Sequence, residues 1–520
     1  MRVLFAASEL TPIAKVGGLA DVMAALPAAL KRVGVEAAVV IPRYSFINVS
    51  RIKRLASSIA VPLARGVEHV SLYRGTHAKT GVPVFLVEND RYLSSGPGPY
   101  FNATAFVGGR KEIQRFTFFS KAVAELLARG AFGSVDVVHC NDWHTGPLAS
   151  LLTRMNADKT PINADKDAPR KNPRKSALHP RKSATTKVVF TIHNLANQGR
   201  WNAAEIDRWM LVKGESSPFA KSGADYNFMA EGIRSADWIT TVSESYSREI
   251  LTPQYGEGLE KLLASRRKRL TGILNGIDYA FFDPAHDPLI PNRFSIKDIG
   301  WKPLNKLWLQ HHFGFRVASD IPLFGLISRL TEQKGIDLIP PAIKEYVSPV
   351  KSRRGGTTWQ AAAQFVFLGQ GAPEHEQALV ALAQKYPSTV FTKIGFDEPL
   401  AHAIYAGSDF FLMPSRFEPS GLGQMIAMRY GSVPIVRATG GLADTVFDNS
   451  TGFVFLKESA KDLASAIGRA LVCYREAPLR FSDIRRQCME QDFDFVNAAK
   501  QYRDLYYARP NAPPRNAGRG

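Results

Sequence analysis

Short apolar runs alternate with longer stretches of mixed polarity along almost the whole chain. RVLFAAS opens it, and AAVVIP, VPVFLVEN, VDVVHCND, KVVFTIHN and WITTVS follow at intervals. Between several of them lie segments with apolar residues at helical spacing, such as ADVMAALPAALKRVG and RFTFFSKAVAELLARG. The second half restarts the series with PLFGLISRL, QFVFLGQG, TVFTKIG, FFLMPSRFE and VPIVRATGG. Unbroken apolar runs, bounded by Gly, Pro or Asn and separated by helices, predict parallel sheets covered on both faces. Two such series predict an α/β chain of two doubly wound domains. The turn-rich LTGILNGIDYAFFDP, residues 270–284, interrupts the pattern and divides the chain into a domain over 1–270 and another over 271–492. FVNAAKQYRDLYY again has helical spacing, so a last helix over 493–508 is expected to dock back on the first domain, with a flexible tail over 509–520.

Composition agrees with globular packing and removes several function classes. The 520 residues exceed one ordinary core, and 45% of them are hydrophobic. No run of about 18 uncharged apolar residues offers a membrane span. MRVLFAASELTPIAK reads as a first strand rather than a signal peptide, which points to the cytoplasm. Cys140, Cys473 and Cys488 have no CxxC spacing, so neither a disulfide framework nor a metal site is expected. The net charge of +19 raises the question of nucleic acid. Residues 156–187 carry nine Lys and Arg against three Asp in a Pro- and Ser-rich context, the composition of a disordered, solvated insertion. Its charges are not interleaved with aromatics, as a single-strand binder requires, so no specific nucleic-acid partner is expected.

Chemistry-bearing residues gather at the ends of the predicted strands, where a parallel sheet presents its ligand crevice. KVGGLADV places Lys15 beside Gly17 and Gly18, which permit close backbone approach and open a helix whose free N–H groups suit an anion. It is neither GxGxxG nor a Walker loop, which disfavours a dinucleotide cofactor. Asp142, His193 and Asn194 end two further first-half strands. In the second half Arg329 and Lys334 form a basic pair fit to clamp a diphosphate, and Glu418 precedes Gly421 and Leu422 at a helix start.

KVGGLADV, NDWHTGPLA, TIHNLANQG, ILNGID, SRLTEQKGIDL, PSRFEPSGLGQMIAMRYG and VPIVRATGGLADTV together resemble the motifs of bacterial glycogen synthases and plant starch synthases. The resemblance implies the GT-B architecture, two Rossmann-like domains facing a deep interdomain cleft. It further implies transfer of glucose from ADP-glucose to the nonreducing end of an α-1,4-glucan with retention of configuration, without a metal or other cofactor. By resemblance, Lys15, Gly17, Gly18 and Asp21 lie at the donor phosphates, and Arg329 and Lys334 neutralise the leaving diphosphate. Glu418, Gly421 and Leu422 hold the sugar hydroxyls, His193 and Asp142 flank the reacting glucose, Asn194 and Asn275 line the same region, and Phe396 stacks on the donor base.

The sequence departs from the usual family pattern at Ser420, Gly423, Asn197 and Phe396. Ile426 stands where sucrose-type relatives carry a second glutamate, which disfavours that branch. A double displacement through Asp142 or Glu418 and a front-face return of the leaving phosphate are both open, and the resemblance favours the second. UDP-glucose is the alternative donor. The rival from another class is a noncatalytic glucan-binding protein with the basic insertion as its working part. Oligomeric state is not legible.

Overall fold

The apolar runs that open both halves become central strands because each is covered on two faces: Val3, Leu4, Phe5 and Ala6 are all buried. The computed structural model describes residues 1–96, 98–101, 109–159, 186–347, 350–351, 357–358 and 362–508. These fall into two units. Unit 1 is built from Met1–Thr241, Ser247–Ile273 and the described residues from Ala498, and unit 2 from Val242–Tyr246 and Leu274–Asn497.

Unit 1 holds a nine-stranded sheet of β1 (Arg2–Ala6), β2 (Glu36–Pro42), β3 (Lys53–Leu63), β4 (Gly66–Thr76), β5 (Pro83–Glu88), β6 (Val137–Asn141), β7 (Lys187–Ile192), β11 (Trp238–Thr241) and β12 (Leu270–Gly272). Their order is β12-β11-β7-β6-β1-β2-β5-β4-β3. The strands from β12 to β5 pair in parallel, whereas β5 with β4 and β4 with β3 are antiparallel. The sheet is therefore mixed, which corrects the expectation of wholly parallel sheets. The β3–β4 hairpin escaped the apolar-run reading because the first half of β3, residues 53–58, is largely exposed and carries little hydrophobic signal. Three short strands, β8 (Arg200–Asn202), β9 (Lys221–Ser222) and β10 (Asp225–Asn227), form a small separate sheet. Helix α1 (Gly18–Arg32) follows β1, α2 (Arg110–Ala128) precedes β6, and α3 (Gly146–Lys159) follows it.

The basic insertion lies outside the described residues except at its margins, and there the reading needs correction. Residues 156–159 complete α3, Lys187 begins β7, and Asn156 Nδ2 donates to the Thr186 carbonyl at 2.8 Å. The two ends of the segment thus lie side by side. The tail over 509–520 is also outside the described residues. The helix Phe495–Tyr507 is fastened in unit 1 by Tyr506, whose hydroxyl lies 2.7 Å from His139 Nδ1 and whose carbonyl accepts from Lys187 Nζ at 2.8 Å.

Unit 2 holds a parallel six-stranded sheet of β13 (Leu323–Leu330), β16 (Gln364–Gly371), β17 (Val390–Ile394), β18 (Phe410–Met413), β19 (Val433–Arg437) and β20 (Phe453–Phe455), ordered β17-β16-β13-β18-β19-β20. A two-stranded pair, β14 (Val350–Lys351) and β15 (Thr357–Thr358), stands apart from it. In-register Phe324, Phe365 and Phe410 stack across three adjacent strands at centroid separations of 4.8 and 4.9 Å. Such stacking adds to the burial that fixes strand order. Among the described residues no helix is long and apolar enough to cross a membrane.

Candidate active site

The order β7-β6-β1 brings the ends of three parallel strands in unit 1 together, so the loops after residues 6, 141 and 192 converge although the chain separates them widely. The first loop is organised by Glu9. Its Oε2 accepts from the amides of Val16 and Gly17 at 2.8 and 2.7 Å, and its Oε1 accepts from the Tyr100 hydroxyl at 2.9 Å. The Gly17 amide, at the N-cap of the following helix, is thus occupied by a side chain of the same loop. Burial raises the Glu9 pKa, opposed by those hydrogen bonds. Lys15 Nζ lies 2.8 Å from Asp21 Oδ1, which also accepts from Thr11 Oγ1 at 2.8 Å, so the lysine is aimed rather than loose. Gly18 begins α1 behind this turn.

The β6 and β7 loops are stitched by Asp142, whose Oδ1 accepts from the amides of His193 at 2.7 Å and Asn194 at 3.3 Å. Asp142 has φ of +55° with ψ of −179°, a positive-φ extended conformation that is strained for any residue with a side chain. Burial pushes its carboxyl up to about 7, partly offset by the two amides, and the Glu9 charge raises it further. His193 Nε2 sits 3.0 Å from Asn141 Oδ1. The Asn141 amide nitrogen donates to the carbonyls of Ala6 and His139 at 3.1 Å each, so its oxygen faces the imidazole. Nε2 therefore carries the proton and Nδ1 is the acceptor. Desolvation lowers the His193 pKa to about 3, leaving a neutral ring at physiological pH.

In unit 2 the neighbours β13 and β18 supply the second group. Arg329 lies near the end of β13, and Lys334 in the 3-10 turn Glu332–Lys334 just beyond it. Lys334 Nζ pairs with Glu418 Oε2 at 2.5 Å, and Ser415 Oγ donates to the same oxygen at 2.9 Å. Glu418 is buried, and Oε1 has no hydrogen bond among the described residues. The loop after β18 is clamped by backbone contact: the Gly441 amide donates to the Glu418 carbonyl at 3.0 Å. A Cβ on Gly440 would lie 2.0 Å from the Glu418 carbonyl oxygen, and one on Gly441 2.0 Å from that of Ser420. Gly421 takes φ of +66° to release the chain into the helix Gly423–Arg429, with Leu422 at its N-cap.

Two expected residues stand apart from these groups. Asn275 is buried in unit 2, its amide donating to the Val242 carbonyl at 3.4 Å and its Oδ1 without a hydrogen-bond partner among the described residues. Phe396 follows the edge strand β17 and is 73% exposed. Glu9, Tyr100, Asn141 and Ser415 were not singled out from sequence. Glu9 had a signal, a carboxylate between a strand and a paired-glycine turn, whereas Tyr100 reaches it across a span of 91 residues.

Residues 2–166 and 175–265 match the starch synthase catalytic domain family, and residues 321–472 match glycosyl transferases group 1. Glycogen synthase 2 of Nitrosococcus oceani is 39% identical over 97% of this chain and 96% of its own length, and glycogen synthase 2 of Geobacter sulfurreducens is 40% identical over 97% and 98%. The catalytic domain of starch synthase IV from Arabidopsis thaliana, bound to ADP and acarbose, superposes with a TM-score of 0.80 at 32% identity, covering 97% of this chain and 98% of that one. With near-complete coverage of both partners, the chain belongs to the glycogen and starch synthase family of GT-B glycosyltransferases.

Proposed function

We propose that the protein transfers glucose from ADP-glucose to the nonreducing end of an α-1,4-glucan such as glycogen with retention of configuration, in a cytoplasmic setting and without a metal or cofactor. The observation that carries this reading is the arrangement at the adjacent ends of β13 and β18, where Lys334 is held on Glu418 near Arg329. Breaking the bond between the anomeric carbon and the diphosphate leaves negative charge on phosphate oxygen, and fixed cations stabilise it without reorganisation. The ADP in the starch synthase IV structure supports the adenine nucleotide. In this reading Lys15 and the Gly17–Gly18 turn also serve the donor phosphates, while Glu418 Oε1, Gly421 and Leu422 receive sugar hydroxyls. Asn194 and Asn275 line the sugar region, and Phe396 stacks on the base.

His193 is neutral and presents polar groups near the reacting glucose; it is not a cation that would repel oxocarbenium character. The departing phosphate oxygen takes the acceptor hydroxyl proton as the new glycosidic bond forms on the same face. Initial rates with ADP-glucose and UDP-glucose on a glycogen primer test the reading. At least a tenfold preference for ADP-glucose with an α-configured product is expected; preference for UDP-glucose or an inverted product overturns it.

A further inference from the structure

The helix Lys302–His312 in unit 2 has its amphipathic character inverted. Its buried positions include four polar residues, Lys302, Asn305, Lys306 and Gln310. Each is satisfied there. Lys302 Nζ donates to the Ala406 carbonyl at 2.7 Å and to Ser432 Oγ at 3.2 Å, and Lys306 Nζ pairs with Asp409 at 2.7 Å. Asn305 exchanges hydrogen bonds with the backbone of Asn292 at 2.8 and 2.9 Å, and Gln310 Nε2 donates to Gln364 Oε1 at 2.8 Å. The solvent side is apolar: Trp301, at the N-cap, is 57% exposed, Trp308 40% and Leu304 38%. Residues 301, 304, 308 and 312 follow one another down a single stripe. His312 stacks on Trp308 with centroids 4.7 Å apart at 9°, which fixes the orientation of the indole. The buried polar groups are explained by their partners within the fold, whereas an exposed tryptophan pair on one stripe points to something outside it.

The stripe lies at the opposite end of the unit 2 sheet from Lys334 and Glu418. Asp409 and Ser432 stand just before β18 and β19, and Gln364 opens β16, so the helix crosses the starting ends of parallel strands, whereas Arg329 and the Glu418 loop belong to their finishing ends. Its seat is firm: a Cβ on Gly407 would lie 2.4 Å from Leu309 Cδ1 and 2.8 Å from the Asn305 carbonyl oxygen, so the helix rests directly on the end of the helix Glu398–Gly407. The stripe carries no Lys, Arg, Asp or Glu in a chain of net charge +19, which suits a neutral ligand. A second copy fits less well, since like-charged chains would meet over roughly 300 Å² each, against about 800 Å² per partner in a stable interface. Trp301 and Trp308 are two turns apart, about 10 Å along the helix axis, so they meet different sugar units of one polymer. Indole faces stack on the C–H faces of pyranose rings, and their N–H groups donate to hydroxyls.

We propose that the Trp301–Leu304–Trp308 stripe is a docking platform for an α-1,4-glucan, separate from the strand-end site, that keeps the polymer on the enzyme between transfers. The choice of polymer rests on the glucan acceptor proposed above. A second, weak foothold raises the effective concentration of chain ends without taking part in the chemistry. The test is co-sedimentation of the full chain with glycogen in the absence of donor, beside initial rates on glycogen and on maltotriose, which is too short to reach both places. It compares the parent with Trp301→Ala, Trp308→Ala and the double variant; the single variants keep the test open should the double one fold poorly. The double variant is expected to bind glycogen at least fivefold more weakly and each single variant at least twofold more weakly. The KM for glycogen should rise in step at unchanged kcat, with both constants for maltotriose within twofold of the parent. Glycogen binding unchanged in the variants, an equal loss on maltotriose, or a parental dimer in sedimentation velocity that the double variant abolishes each overturn the proposal. Co-sedimentation needs no turnover, so a parent that binds glycogen through the tryptophans yet transfers no glucose supports the platform and removes the transferase reading alone.

Discussion

Asp142→Asn is expected to make the protein more stable and less active, and the stability part has a pH signature. The carboxyl is 6% exposed, and burial raises it from 3.8 to about 7. A folded-state value above the unfolded one means that the native protein holds this proton more tightly than the unfolded chain. The contribution is therefore fully favourable below pH 3.8, declines as pH rises, and reaches its full penalty above pH 7. A shift of roughly three units at 1.36 kcal/mol each sets an upper bound on the order of 4 kcal/mol. Asn keeps the oxygen that accepts from His193 and Asn194, and its similar size leaves the backbone strain common to both, so the variant sheds the charge penalty and little else.

The assay is thermal or urea unfolding of parent and variant at pH 4 and pH 8, followed by tryptophan fluorescence. Subtracting variant from parent removes, to first order, the titration of groups common to both. The difference should be near zero at pH 4 and favour Asn by about 1 to 4 kcal/mol at pH 8. Transfer activity should fall roughly 10- to 100-fold, the worth of a hydrogen bond to a charged acceptor. A difference that is flat with pH, or that favours Asp at pH 8, refutes the argument that the carboxylate is held at a cost.

Three further outcomes follow from the same geometry. Lys334→Ala should lower turnover by about 2 to 4 kcal/mol of transition-state stabilisation, with the larger effect in kcat than in KM; turnover within about threefold of the parent would contradict its role at the leaving group. Glu9→Gln should leave the melting temperature at pH 8 unchanged or raised, since burial disfavours the charge, yet raise the donor KM several-fold by loosening two turn amides; an unchanged KM would separate Glu9 from the donor. Gly17→Ala and Gly441→Ala should differ in kind. The first should retain the parental melting temperature and lose donor affinity, and the second should lose stability and activity together, read by calorimetric unfolding beside ADP titration.

The central strands and the strand-end residues were legible because each depends on a local pattern. Phe324, Phe365 and Phe410 lie in uninterrupted apolar runs, and the loops carrying Asp142, His193 and Glu418 directly follow such runs. What escaped has either little hydrophobic contrast or partners distant in the chain. The hairpin β3–β4 mixes exposed and half-buried positions with few buried ones, so its alternation is weak. Pairing of Tyr100 with Glu9, or of Ser415 with Glu418 and Lys334, is decided by how neighbouring strands stack their loops, and no spacing in the chain announces it. The claim of Glu9 on the Gly17 amide is hidden for the same reason.

The glycines separate what the fold demands from what a ligand demands. At Gly335, Gly440 and Gly441 a Cβ would come within 2.2 Å of a backbone oxygen, of Pro414, Glu418 and Ser420 respectively. These positions are bare because loops carrying Lys334 and Glu418 must touch backbone to backbone, and that contact fixes the geometry of the charged pair. Gly17 has no such reason: nothing lies within 4 Å of its Cβ position, and its φ of −139° is open to any residue. The protein itself does not need a glycine there. Open space above an extended backbone, beside an aimed lysine and at the head of a helix, is what close approach of a diphosphate requires. Packing within the chain thus does not account for the glycine at 17, whereas it does account for those after β19.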